Sequence, residues 1–270
     1  MLAILTSGAL IFAAAWTTTG TWPAGAFAAI AFAISPLVWS DPPQATALYP
    51  LPFVCAWLCA SAMWLGRGDR LWAMAAGALL GVGVYVSPGS VVMMPAYAAL
   101  TVGIVATSGR VPRPHWIAFL GVFALVAVPR LIMWMIDPAP YREIVAAHHL
   151  YDADRYNVLQ GIREVTSWVG LTARSEVFWD YLNPAFLFVT GRVLSWPLIV
   201  LLPLGIYFVI VRDASLMGRI ALAAFVVAPL AASLPAEPPV RARIAWILPA
   251  AALLAMFGVE FLRRRGAARA

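Results

Sequence analysis

Residues 239–265 read PVRARIAWILPAAALLAMFGVEFLRRR. Between Arg243 and Arg263 lie nineteen residues whose only charge is Glu260, near the far end. A continuously apolar stretch of that length matches a helix crossing the hydrocarbon core of a bilayer, which takes about 20 residues. The rest of the chain repeats the pattern. Its 270 residues are 63% hydrophobic and 11% charged, with a mean hydropathy of +0.86. Soluble domains carry roughly 25% charged residues. Twelve Trp and thirteen Phe supply the aromatics that favour membrane interfaces. All eighteen cationic side chains are Arg, giving a net charge of +6. No basic stripe or soluble module accompanies that charge, so nucleic acid is not a partner.

Apolar runs lie near 1–16, 24–39, 50–66, 71–86, 91–108, 115–136, 193–211, 218–234 and 244–262. They are unbroken rather than alternating, which predicts helices and not barrel strands. The expectation is an all-α transmembrane bundle of about nine spans. Three parts follow: N-terminal helices over 1–136, an external segment over 137–192, and C-terminal helices with a basic tail over 193–270. Alternate connections hold Arg67, Arg70, Arg110, Arg113, Arg212 and Arg219, and the tail adds Arg263, Arg264, Arg265 and Arg269. The opposite short loops hold only Arg241 and Arg243. Ten against two predicts that the first side is cytoplasmic. The C-terminus is then inside and, with nine spans, the N-terminus outside. A chain starting outside, with no charged flank and a weak first helix, predicts a segment missing upstream.

Residues 137–192 hold twelve of the thirty charged residues. Connections of this length in compact domains usually fold or function. Tyr156, Leu159, Ile162, Val165 and Trp168 or Val169 recur every three to four residues, predicting one face of an interfacial helix. WDYLNPAFLF at 179–188 then turns at Asn183-Pro184.

The chemistry-bearing candidates are few. Cys55 and Cys59 lie one turn apart in an apolar helix and read as packing residues. In HHLYDAD, His148, His149, Asp152 and Asp154 are acceptable ligand types for a divalent cation. Adjacent His side chains diverge, however, and a solvated loop explains the run; no metal site is assigned. Arg130 lies inside a span, where a charge is costly and marks a function; it either snorkels to the headgroups or meets a lipid phosphate. Arg241 and Arg243 stand against the charge pattern, which points to an anion nearby, with Glu237 as the alternative partner. Asp41 in WSDPPQ is a catalytic or metal-binding carboxylate, or a polar turn residue at a helix end. Glu260 reads as an ion pair with the Arg residues after it. The span centres contain no Asp, Glu or His, which disfavours proton-coupled transport.

Several stretches resemble the multi-pass GT-C glycosyltransferases, in the branch of bacterial protein-mannosyltransferases and aminoarabinose transferases. They are AFAISPLVWSDPPQATALYPLPF (31–53), AAGALLGVGVYVSPGSVVMMPAYAAL (75–100), YDADRYNVLQGIREVTSWVGLTARSEVFWDYLNPAFLFVTG (151–191), LLPLGIYFVIVRD (201–213) and PPVRARIAWILPAAALLAMFGVEFL (238–262). Single motifs are weak; their order carries the likeness from about residue 25 onward. The resemblance implies sugar transfer from a polyprenyl-phosphate donor at the outer face of a bacterial cytoplasmic membrane. It puts Arg241 or Arg243 in the place of a basic residue ahead of the last helix, and Tyr181, Asn183 and Gly191 in the matching turn. Arg130, Arg241, Arg243, Tyr181 and Asn183 form the expected lipid-phosphate site. The family's acidic pair sits in a first external loop, after an N-terminal helix that begins inside; this chain shows neither, and Asp41 does not map onto the pair. A truncated or divergent transferase is therefore expected, with a partner subunit as one source of the missing part. The rivals are a non-catalytic scaffold subunit and a lipid carrier or flippase.

The charge count makes a direct prediction. A cysteine introduced near His148 reacts with a membrane-impermeant reagent added to intact cells, and one placed at Gly266 reacts only after permeabilisation. The opposite pattern reverses the orientation.

Overall fold

The computed structural model describes residues 1–39, 48–137, 139–147, 150–151, 157–212 and 215–267. Every regular element among them is helical. The nine apolar runs fold as α1 (Leu2–Thr19), α2 (Trp22–Ala33), α3 (Leu51–Arg67), α4 (Arg70–Gly83), α5 (Ser90–Ser108), α6 (Arg113–Ile136), α10 (Leu198–Val211), α11 with α12 (Leu216–Val227, Leu230–Ser233) and α13 (Ile247–Ala267). Segment 137–192 holds α7 (Ala139–Ala147), α8 (Val158–Val165) and α9 (Trp168–Leu182).

Four of these stretches are long and apolar enough to cross a membrane: Leu2–Thr19, Ser90–Ser108, Arg113–Ile136 and Leu216–Ser233. Another four, α2, α3, α4 and α10, are apolar but run only 12 to 17 residues. Proline accounts for two of the shortfalls. The run 24–39 leaves the α-helix at Ala33, ahead of a 3₁₀ turn at Pro36–Trp39, and the run 193–211 becomes helical only after Pro197. Polar caps set other boundaries. Asp69 accepts from the Leu71 N–H at 2.9 Å and starts α4; Ser215 accepts from Gly218 at 3.1 Å and starts α11. Gly68 and Gly109, at φ +69° and +64°, end α3 and α5 in the left-handed conformation.

The helix expected through Tyr156–Val169 is instead two. Ser167 accepts from the Gly170 N–H at 3.1 Å and begins α9 afresh, so α8 stops at Val165. A serine cap of this kind overrides an unbroken apolar period, because it satisfies a donor that a continuous helix would bond elsewhere.

The core is arranged around α13. From Ile244 to Gly258 every residue is buried, which is the mark of an apolar helix surrounded by others. Its neighbours include α2, α10 and α11. The approach of α10 is closest: a Cβ on Gly205 would overlap the Leu254 carbonyl, and one on Gly258 would overlap the Leu201 carbonyl. A second close crossing joins α4 to α6, where a Cβ on Gly77 would overlap the Phe119 carbonyl and one on Gly81 would lie 2.7 Å from Cβ of Val126. Gly77 and Gly81 form the small-xxx-small spacing that lets helix backbones meet. By contrast, α6 leaves Leu125, Leu131, Ile132, Met133, Met135 and Ile136 exposed on the outside of the bundle.

The helix ends gather at two levels. Thr17, Thr18, Leu65, Gly66, Arg110, Val111 and Ser215–Met217 line a cavity of about 320 Å³. Tyr49, Pro50, Val86–Gly89, Ala231, Ala232, Arg243 and Trp246 line another of about 480 Å³. Helices α3, α5 and α11–α12 each run from one cavity to the other. At 1.5 Å per residue, the 19 residues of α5 cover about 28 Å and the 17 of α3 about 26 Å.

Replacing Gly205 with Leu forces α10 off α13. The expected loss is about 3 kcal/mol or more, seen as a lower unfolding midpoint in detergent. Gly103→Ala, at a position with open space around it, leaves the midpoint unchanged or slightly raised.

Candidate functional site

Three helices begin around the 480 Å³ cavity: α3 after Pro50, α5 after Gly89, and α13 after the 3₁₀ turn Arg241–Ile244. Each N-terminus carries the positive end of its helix dipole. The aromatic residues Tyr49 and Trp246 line the cavity, and Pro50, Pro88 and Pro235 contribute apolar wall without backbone donors. Trp246 is tied from behind, since its carbonyl accepts from the Tyr97 hydroxyl at 3.4 Å, and Tyr97 stacks on Trp57.

Arg243 is the charge of the cavity wall. Its Nη2 lies 2.7 Å from Oε2 of Glu237, with 30% and 35% of the two side chains exposed. Its Nη1 is buried and has no hydrogen-bond partner among the described residues. Among the described residues that line the cavity there is no Asp or Glu. Glu237 offsets the charge from one side, and one guanidinium nitrogen has a bond left to make.

The loop carrying Glu237 is held at both ends by α9. Arg174 Nε donates to the Leu234 carbonyl at 2.8 Å, and the Val240 N–H donates to the Tyr181 hydroxyl at 3.0 Å. Arg174 and Tyr181 are two helical turns apart and so share a face. Arg174 also donates to the carbonyls of Gly170 and Leu150, both at 3.0 Å. Burial lowers its pKa, opposed by the charge of Glu164. Between the two clasps, Ala236 takes a left-handed φ of +52° ahead of Glu237, Pro238 and Pro239. Burial pushes the Tyr181 phenol above its ordinary value, while the Val240 N–H and the Arg243 charge pull it down.

The sequence candidates divide accordingly. Arg243 lines the cavity; Arg241, two residues earlier, does not. Tyr181 is fully buried and acts on the loop through Val240. Asn183 is exposed, and its Oδ1 accepts from the Ala185 N–H at 2.9 Å, entering the π-helical turn Phe186–Thr190. Gly191 closes that turn through its N–H to the Phe186 carbonyl, where a Cβ would stand 2.6 Å from the oxygen. Arg130 is not in the cavity; its guanidinium lies within cation–π distance of the rings of Tyr85 and Trp134. Glu260 bonds Arg263 at 2.8 and 2.9 Å and Arg264 at 2.7 Å. Cys55 is buried and Cys59 half-buried, both unbridged. Asp41, His148, His149, Asp152 and Asp154 lie outside the described residues.

Sequence reasoning missed Tyr49, Ser87 and Trp246 as cavity residues and Arg174 as a clasp. The SPGS run at 87–90 carries a legible signal, a Pro-Gly turn directly before an apolar helix. Arg174 carries none, because the carbonyls of Leu150 and Leu234 that it joins are far away in the chain. No family model, curated protein or solved structure matches the chain.

Tyr181→Phe leaves the Val240 N–H without its acceptor and lowers stability by about 1 kcal/mol near neutral pH. The sign with pH follows from the raised phenol pKa: the folded state holds this proton more tightly than the unfolded state. That contribution is complete below the ordinary tyrosine value of 10.0 and is lost as pH rises through the folded value. Denaturation followed at increasing alkaline pH shows a steeper loss for the wild type than for Tyr181→Phe.

Proposed function

We propose that the chain is a multi-pass protein of a bacterial cytoplasmic membrane, with its C-terminus inside. In this reading all nine apolar helices cross, and the Arg243 cavity takes the phosphate of a polyprenyl-phosphate sugar at the outer face. The observation that carries it is the unpartnered, buried Nη1 of Arg243 on the wall of a cavity where three helices begin. At about 480 Å³ the cavity is within the range of small-molecule sites, roughly 300–1,000 Å³. The spans are supported by α3, which reaches the same two levels as the longer α5 although it is two residues shorter. The likeness of the quoted stretches to GT-C glycosyltransferases agrees in substrate class.

In such a transfer the bond from the anomeric carbon to the phosphate oxygen breaks, and the bond to the acceptor oxygen forms. Negative charge grows on the departing phosphate, and Arg243 with the helix ends stabilises it where it develops. The acceptor hydroxyl gives its proton to a carboxylate. Glu237 is occupied by Arg243, and among the described residues no carboxylate lines the cavity. Asp41 is the acid that the nearby sequence offers for this role. The absence of a carboxylate from the described lining favours a second reading, in which the chain holds the lipid phosphate without transferring the sugar. It then acts as a binding subunit whose partner supplies the base.

Membranes containing the protein and a labelled polyprenyl-phosphate sugar separate these readings. Under the first, label passes to acceptor, and Arg243→Ala lowers the rate by about 100-fold or more, while Arg241→Ala has a smaller effect. Transfer indifferent to Arg243→Ala sinks the site assignment. Capture of a photoreactive donor that depends on Arg243, without any transfer, selects the second reading.

A further inference from the structure

Arg130 is a charge inside the longest apolar helix, and no carboxylate among the described residues serves it as a counter-charge. Its guanidinium carbon lies 5.9 Å from the Tyr85 ring centre and 5.2 Å from that of Trp134. Its Nε is buried without a hydrogen-bond partner, and among the described residues no carboxylate pairs with it. Tyr85 is fixed in place: its hydroxyl donates to the Val126 carbonyl at 2.9 Å, one turn before Arg130 and next to the break that Pro129 makes in the α6 ladder. Two aromatic rings, one of them fixed, thus hold the guanidinium by cation–π contact without neutralising it.

Position decides what completes the site. Arg130 is six residues before the end of α6, about 9 Å by helical rise, so its side chain reaches headgroup depth from within the apolar zone. The last turns of α6 around it expose Leu131, Ile132, Met133 and Met135 on the outside of the bundle. Tyr85 belongs to the turn whose next residues, Val86–Gly89, line the Arg243 cavity; Arg130 is on the outer flank of that turn. A half-buried cation in this setting matches an anion attached to an apolar body.

We propose that Arg130, Tyr85 and Trp134 form a second lipid-phosphate site on the outer flank of α4 and α6, separate from the Arg243 cavity. The phosphate sits on the open guanidinium nitrogens, and the hydrocarbon lies along the exposed residues of α6. Two lipids carry this chemistry, an anionic phospholipid and a polyprenyl monophosphate.

The test is native mass spectrometry of the whole protein, released from vesicles of phosphatidylcholine mixed with either phosphatidylglycerol or polyprenyl monophosphate. The wild type retains one or both anionic lipids. Arg130→Gln weakens that retention by roughly tenfold or more, as the loss of charge-assisted hydrogen bonds implies. Arg130→Lys, which keeps the charge, and Trp134→Leu, which removes one ring, each weaken it less, so a folding failure of the Gln variant does not end the test. Arg243→Ala keeps the Arg130-dependent lipid. The arm that responds to Arg130→Gln names the source. Equal retention by wild type, Arg130→Gln and Trp134→Leu in both arms overturns the proposal, whatever Arg243→Ala does to sugar transfer.

Discussion

The structure depends on how closely other helices approach α13. Within lipid, apolar surface gains little by leaving one hydrocarbon environment for another, so helix association rests on packing contact and polar bonds. Gly205 and Gly258 remove the two Cβ atoms that would keep α10 and α13 apart. Everything at the ends of α13 inherits its position from that contact. One end presents Arg243 and Trp246 to the large cavity; the other presents Glu260 and Arg263 beside Trp16 and Trp22 in a pocket of about 440 Å³.

Much of this organisation is legible in the order of residues, and the limits have physical causes. Each apolar run is a helix because a continuous apolar stretch has no alternation to support a strand. Lengths were harder to read, because hydropathy ignores Pro36 and Pro197, which end or delay helices without lowering the apolar average. The break at Ser167 is equally invisible to periodicity, since a cap acts on one backbone donor and leaves the apolar spacing intact. Arg243 was legible as a charge on the wrong side of the count. Its surroundings were not, because Tyr49, Ser87 and Trp246 meet only when three helices far apart in the chain start at the same level.

The segment between the two groups of helices belongs to the site by contact rather than by chemistry. None of its described residues lines the cavity, yet Arg174 and Tyr181 grip Leu234 and Val240 and fix the loop between them. The far side of α9 leaves Trp168 and Trp179 exposed. One helix thus has a polar grip on the loop and an aromatic surface suited to a headgroup layer.

The pairing of Glu237 with Arg243 has a kinetic side. In the proposed function, an anion arriving at Arg243 does not fill an empty seat, because a carboxylate already holds Nη2 at 2.7 Å. It must add to Nη1 or push Glu237 aside, and Glu237 stays tethered within reach while the anion is bound. Binding under such competition is weaker than the bare guanidinium allows. An anion that displaces Glu237 leaves a bond that the chain itself remakes when the anion departs.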